Sequence, residues 1–357
     1  MFTFLVFISI LSILIIVHEF GHFIIAKRLG LKVEKFSLGF GPQLLKKKKG
    51  DTEYSLSLIP LGGYVKLAGD NLEEYQGKKY EYLAQAPGRR FWIIFFGPLL
   101  NYLLGFLCFW FINIAGYPAL TTKVGALIAG FGAKEAGLEV GDKITAVDER
   151  KVDYWDDLQS IIQAKKPGTI VKLFFLRNNR EYSLDVNIKE KKIDDGLGSR
   201  RSIGLLGISP YDEVVIVKHA PFKSFSLGLK KTWALTTMTY QALGQMLRLK
   251  LSIKEATGPL GIFFITSHVA RQGIIAILNL MGIISVSLSL FNLLPFPVLD
   301  GGHILLLAIE KIRGKYLSLK AERIITQVGL SFIIFLALIV TYNDIMRLFG
   351  DKLSRMF

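Results

Sequence analysis

His18-Glu19-Phe20-Gly21-His22 is the stretch whose residue types and spacing could do chemistry. An α-helix turns about 100° per residue, so His18 and His22 fall one turn apart on one face with Glu19 beside them. Two imidazoles so placed can share a Zn²⁺ ion, and the intervening carboxylate can take a proton from water activated there. The bland alternative is a helix whose histidines only hydrogen-bond to neighbouring helices. The setting argues against it: from Met1 to Ala26 the only formally charged side chain is Glu19. An ionisable residue at bilayer depth costs about 2.5–3.5 kcal/mol on insertion scales and is a functional candidate by default.

Four charge-poor runs are long enough to cross about 30 Å of hydrocarbon: 1–26, 91–114, 274–294 and 324–343. The chain has 357 residues, 51% of them hydrophobic, with positive mean hydropathy, which fits a polytopic membrane protein. Its net charge of +15 does not point to nucleic acid, because the basic residues flank the apolar runs as membrane-anchoring charges do. One cysteine, Cys108, excludes an intrachain disulfide and reads as a small buried hydrophobe. The N-terminus lacks the pattern of a cleaved signal peptide and reads as a retained helix.

Residues 26–90 carry thirteen Lys/Arg against seven Asp/Glu, which places this loop in the cytoplasm. Four spans then put both termini outside with the long segment 115–273, and His18 and His22 towards the cytoplasmic end of the first span. Within the loop, residues 36–42, 52–58 and 64–67 alternate with a two-residue period, and Lys46–Gly50 reads as the turn between the first two. This predicts a small β-sheet over 36–69. It is either a soluble hairpin or a membrane-dipping one that offers a strand edge, Tyr64, Val65, Lys66 and Leu67, to an extended substrate. Gly97-Pro98 is expected to interrupt the second span, and Asn101 needs a partner there, as interhelical glue or as a prop for the site.

Residues 120–190 change to short strands and one helix, a compact domain of under a hundred residues. Its Ala136-Gly-Leu-x-x-Gly-Asp142 stretch resembles a PDZ domain, a fold that binds extended peptides at a sheet edge. The carboxylate-binding loop of peptide-recognising PDZ domains has no clear match, so a filter of substrate size is the other reading. Residues 191–273 read as a charged linker, 193–202, followed by an amphipathic helix with apolar residues from Phe222 to Leu247. That helix either lies on the outer membrane surface or packs on the PDZ-like domain.

A catalytic zinc needs a third protein ligand. Glu34 and Glu53 are near in sequence but lie in the charged loop. Asp300, after Asn292-Leu-Leu-Pro-Phe-Pro-Val-Leu, comes at the end of the third span, at the depth of the histidine pair.

His18-Glu19-x-x-His22 with Asn292-x-x-Pro295-x-x-x-x-Asp300-Gly-Gly302 resembles the site-2 protease family of intramembrane zinc metalloproteases. The single PDZ-like insert resembles its bacterial RseP-like branch, as do Gly39-Phe-Gly-Pro42, Pro60-Leu-Gly-Gly-Tyr-Val-Lys66, Gly97-Pro-Leu-Leu-Asn101 and Gly258-Pro-Leu-Gly261. The resemblance implies one zinc ion on His18, His22 and Asp300, Glu19 as general base, and Asn292 supporting the substrate backbone or the developing oxyanion. It implies a multi-pass protein of the bacterial inner membrane, in contact with lipid and not nucleic acid. Its substrates would be single-pass membrane proteins already shortened on the outer side, such as anti-sigma factors or remnant signal peptides. The expected fold is therefore a four-helix membrane protein, with parts 1–114 and 274–357 in the membrane, a β-hairpin or sheet in the first loop and an inserted α+β PDZ-like domain. A catalytically inactive scaffold and a membrane zincin with a Glu third ligand are the rival readings.

Overall fold

The computed structural model describes residues 1–194, 200–248, 257–315 and 318–353. In chain order these form α1 (Phe2–Arg28), β1 (Val33–Lys49), β2 (Thr52–Leu67), α2 (Pro87–Ala115), β3 (Tyr117–Leu120), β4 (Val124–Leu127), α3 (Gly132–Glu135), β5 (Lys143–Val147), β6 (Arg150–Lys151), α4 (Trp155–Gln163), β7 (Ile170–Arg177), β8 (Arg180–Asn187), β9 (Lys189–Asp194), β10 (Arg200–Leu205), β11 (Ile208–Pro210), β12 (Val214–Val217), α5 (Pro221–Leu247), α6 (Pro259–Val269), α7 (Ile274–Asn292), α8 (Asp300–Arg313) and α9 (Leu319–Leu353). They cluster into two compact units: one of residues 1–112, 222–243 and 256–357, the other of residues 113–221 and 244–255.

Among the described residues, four helices of the first unit are long and apolar enough to cross a membrane: α1, α2, α7 and the 323–347 part of α9. They coincide with the four charge-poor runs. Pro98 does not interrupt α2, which continues through it as one helix. Proline removes a backbone donor there, the one that would bond the Ile94 carbonyl in an unbroken ladder. Two serines one turn apart on α7 bond to this stretch: Ser289 Oγ donates to the Pro98 carbonyl and Ser285 Oγ to the Asn101 carbonyl, each at 2.7 Å. The Asn101 side chain is fully buried, and neither amide atom has a partner among the described residues. The glue between these helices is therefore serine to carbonyl rather than the asparagine amide.

Asp300 is not the end of the third span. α7 stops at Asn292, and Asp300 opens the separate helix α8. Pro295 and Pro297 prevent the helix from continuing. The turn between is tight: a Cβ on Gly301 would lie 2.3 Å from the carbonyl oxygens of Leu293 and Leu294, and one on Gly302 2.1 Å from that of Phe296. Only glycine permits that approach.

β1 and β2 do more than form one hairpin. Residues 35–38 pair on one side with 63–66 and on the other with 53–56, and 53–56 pair again with 45–48. The strand segments thus run in the order 45–49, 52–56, 35–38, 63–67. Lys46–Lys49, expected as a turn, form an outer strand, and the turn is Gly50-Asp51, with Gly50 at φ +61°. Lysine is tolerated at an exposed sheet edge, so composition alone misplaces the turn. The 63–67 edge packs beside α1: a Cβ on Gly63 would sit 3.2 Å from Glu19 Cγ.

In the second unit, the antiparallel sheet β6-β5-β7-β8 closes on α4 around a core of Ile144, Val147, Leu158, Val171, Leu173 and Val186. Asp142 is buried and takes a two-pronged bond from Arg177, with both N–O distances at 2.7 Å. The expected linker 193–202 is not a linker at its ends. Residues 189–194 and 200–205 pair as β9 and β10, with Ile203 opposite Lys191, while residues 195–199 lie outside the described residues. The strand-forming Ile193 and Ile203 sit among charges that mask the two-residue period.

The expected amphipathic helix forms as α5. Its buried residues are Ser224, Gly228, Thr232 and Thr236, while Phe222, Leu229, Trp233 and Tyr240 are exposed. The small residues let it approach α2: Tyr102 and Thr236 hydroxyls lie 2.9 Å apart, and Phe225 meets Trp110 edge-on. α5 therefore packs on α2 through its small-residue face and leaves its apolar residues exposed.

Candidate metal centre

The histidine pair is built by α1 and held by α2. The two imidazoles meet edge to face with centroids 4.8 Å apart, and their Nε2 atoms are 3.2 Å apart. His22 Nδ1 lies 2.8 Å from the Ile93 carbonyl, which can only accept, so Nδ1 carries the proton. That fixes the tautomer with the Nε2 lone pair turned towards His18, the usual arrangement of a metal-ligating histidine. Asp300, at the first turn of α8, completes the group: Oδ2 is 3.1 Å from His18 Nε2 and Oδ1 is 3.6 Å from His22 Nε2. The three potential ligand atoms all lie within 4.8 Å of one another. A carboxylate there also benefits from the positive end of the α8 dipole. Two imidazoles and one carboxylate converging on one point are a donor set that suits zinc, with a position left for water.

Close backbone approach makes this geometry possible. A Cβ on Gly97 would fall 2.3 Å from Cε1 and Nε2 of His22 and 3.1 Å from Cε1 of His18. A Cβ on Gly21 would meet the Phe96 carbonyl at 2.3 Å. Gly97→Ala is therefore expected to push the His22 ring from its place and lower zinc content and cleavage together, at unchanged membrane insertion. Full zinc content in that variant would contradict the expectation.

Glu19 lines the cavity that opens from the group. This space of about 360 Å³ is bordered by Glu19, His22, Asp300 and His303, and further along by Tyr82, Arg90 and Glu310. Along the 63–67 edge, Val65 and Leu67 face this cavity, and the backbone of Val65 hydrogen-bonds the Glu19 carboxyl. Tyr64 and Lys66 alternate away: Tyr64 stacks on Phe40, and Lys66 pairs with Glu74 at 3.1 Å and Glu34 at 3.6 Å. Asn292 is the half-buried last residue of α7 and is not among the residues lining the cavity. Glu34 and Glu53, the other ligand candidates, face Lys66 and Lys35 instead of the imidazoles. His303 borders the cavity three residues after Asp300, while His268 bonds to the Phe264 carbonyl within α6.

Asp70, Tyr82, Arg90 and Glu310 also line the cavity and have no spacing signature in the sequence. Arg90 is buried and forms an ion pair with Glu310, with Tyr82 under its guanidinium at 5.7 Å. Burial pushes the Tyr82 hydroxyl and the Asp70 carboxyl up from their ordinary values. The one available hint was a charge pair, Arg90 and Glu310, that each border an apolar run.

A family model described as peptidase family M50 matches residues 6–336. A relative from Agrobacterium fabrum is 31% identical over 96% of each chain. Zinc metalloprotease RasP of Geobacillus kaustophilus is 28% identical, covering 96% of this chain and 97% of that one. Zinc metalloprotease RasP of Oceanobacillus iheyensis is 27% identical over 98% and 100%. Among solved structures, the PDZ domain of an SdrC-like protein from Listeria monocytogenes is similar, at 24% identity and TM-score 0.21, covering 25% of this chain and 86% of that one.

Proposed function

The chain belongs to peptidase family M50 and is a zinc metalloprotease, and from that premise we propose that it cuts peptide bonds inside the membrane-spanning segments of single-pass proteins. His18, His22 and Asp300 hold the zinc and Glu19 is the general base. The convergence of these ligands from α1 and α8, with His18 and Asp300 lying 282 positions apart in the chain, beside a carboxylate that faces the same cavity, is the observation that carries the reading.

When bound, the zinc supplies a Lewis acid for the scissile carbonyl and brings the pKa of a water towards about 7. Glu19 takes the proton released as that water attacks and delivers it to the departing amide nitrogen, so the base is regenerated. Held by the Val65 backbone, the carboxylate is oriented before substrate arrives. A helical substrate hides its peptide bonds behind its own hydrogen bonds, so it must unwind to reach Glu19. The 63–67 edge suits an unwound stretch, which gains main-chain bonds there in exchange for those it gives up. Asn292 acts from the end of α7 to support the substrate backbone or the developing oxyanion. In this reading the active site faces the cytoplasmic side of a bacterial inner membrane. The PDZ-like unit and both termini lie outside, where the unit admits substrates already shortened there.

Full-length protein in vesicles with a single-pass reporter tests this. Mass spectrometry of the fragments is expected to place both new termini inside the apolar segment, and Val65→Pro to slow the cut by removing the backbone N–H that holds Glu19. New termini confined to the polar flanks would overturn the intramembrane reading.

A further inference from the structure

The first-loop sheet has two edges, and only one faces the cavity. The other is the strand of residues 45–49, in which every residue is exposed. Its surroundings have an inverted pattern. On the neighbouring strand, Thr52, Ser55 and Ser57 are buried while Leu56, Leu58 and Ile59 are exposed. Beside them Leu44 and Leu45 stand out at 57% and 68% exposure. A sheet facing water buries its apolar side and exposes its polar one. Polar-in and apolar-out is the pattern of a sheet facing lipid, and four helices of this same unit are long enough to cross a bilayer.

Lys46–Lys49 follow directly on Leu44-Leu45 along this edge. At about 3.3 Å per residue the strand passes from apolar to basic within one step and carries four ammonium groups over roughly 10 Å. Among the described residues none of the four makes an ion pair, and Glu53, opposite Lys48, is 3.8 Å from Lys35. We propose that Lys46–Lys49 bind the anionic headgroups of phospholipids, with Leu44, Leu45, Leu58 and Ile59 seated in the adjoining acyl region. Charge selects this occupant over a second copy of the chain, since edge-to-edge pairing of two copies would set eight lysines against one another. The lysines also close this edge to stray strands, which leaves the 63–67 edge as the one open to an extended peptide.

Cys108 is buried, so a fluorophore attached to the L45C variant reports on position 45 alone. The labelled full-length protein is placed in nanodiscs with dibrominated phosphatidylglycerol or dibrominated phosphatidylcholine at equal mole fraction. Quenching is expected to be at least about threefold stronger with the anionic lipid. The preference is expected to shrink in high salt and to vanish when Lys46–Lys49 are all replaced by Ser, in a variant that keeps its zinc. Equal quenching by both lipids, a preference that survives the quadruple replacement, or no quenching by either lipid would each overturn the proposal. Self-quenching that grows with the number of labelled copies per disc, in place of lipid quenching, would assign the edge to a second copy instead.

Discussion

Glu19→Gln should leave the zinc in place and reduce cleavage of a membrane reporter by about 10²–10⁴-fold, the range contributed by a positioned general base. The replacement keeps the shape of the side chain and its place in the cavity beside His22 and Asp300. It removes the one thing an amide cannot do at neutral pH, which is to accept a proton from water and return it to the leaving nitrogen. The metal donors are on other residues, so zinc content should stay near that of the unsubstituted chain. The two readouts together separate a lost base from a lost fold. Undiminished cleavage by the Gln variant would end the assignment of Glu19.

The second large effect is expected from Asp300→Ala. With the carboxylate gone, two imidazoles remain, fewer than the three protein ligands of a catalytic zinc. Changes to groups that only orient a ligand cost about 10–100-fold in metal affinity, so loss of a ligand should exceed that. Zinc per chain, measured after exposure to a mild chelator, should fall far below one, and cleavage should fall with it. Glu34→Ala and Glu53→Ala serve as internal controls, because these carboxylates face Lys66 and Lys35. Zinc retained in the Asp300 variant and lost in either Glu variant would move the third ligand into the first loop.

The parts of this molecule that were legible in its sequence are those ruled by a single dominant cost. Burying charge in hydrocarbon is expensive, so the charge-poor runs mark α1, α2, α7 and α9 to within a few residues at most ends. The same cost made Glu19 conspicuous. Asp300 could be brought beside His18 and His22 by counting crossings, although the seven-residue turn that makes it the start of α8 was hidden. Where two weak effects compete, the sequence misleads. Four lysines in a row suggest a solvated turn, yet an outer strand holds them equally well. A Gly-Pro pair suggests a break, yet α2 runs on where serines of α7 bond to its carbonyls. The cavity walls from Asp70, Tyr82, Arg90 and Glu310 left almost no trace, because they meet only through tertiary packing.

The two serine bonds from α7 to α2 have a mechanical consequence. A proline inside a helix ordinarily makes a soft joint, and this one lies next to Gly97, against which both imidazoles rest. Pinning the carbonyls of Pro98 and Asn101 to a second helix stiffens that joint, so the wall behind the imidazoles does not yield when a guest pushes in. In the proposed reaction deformation is then borne by the guest: its coil must give way while the anvil stays still.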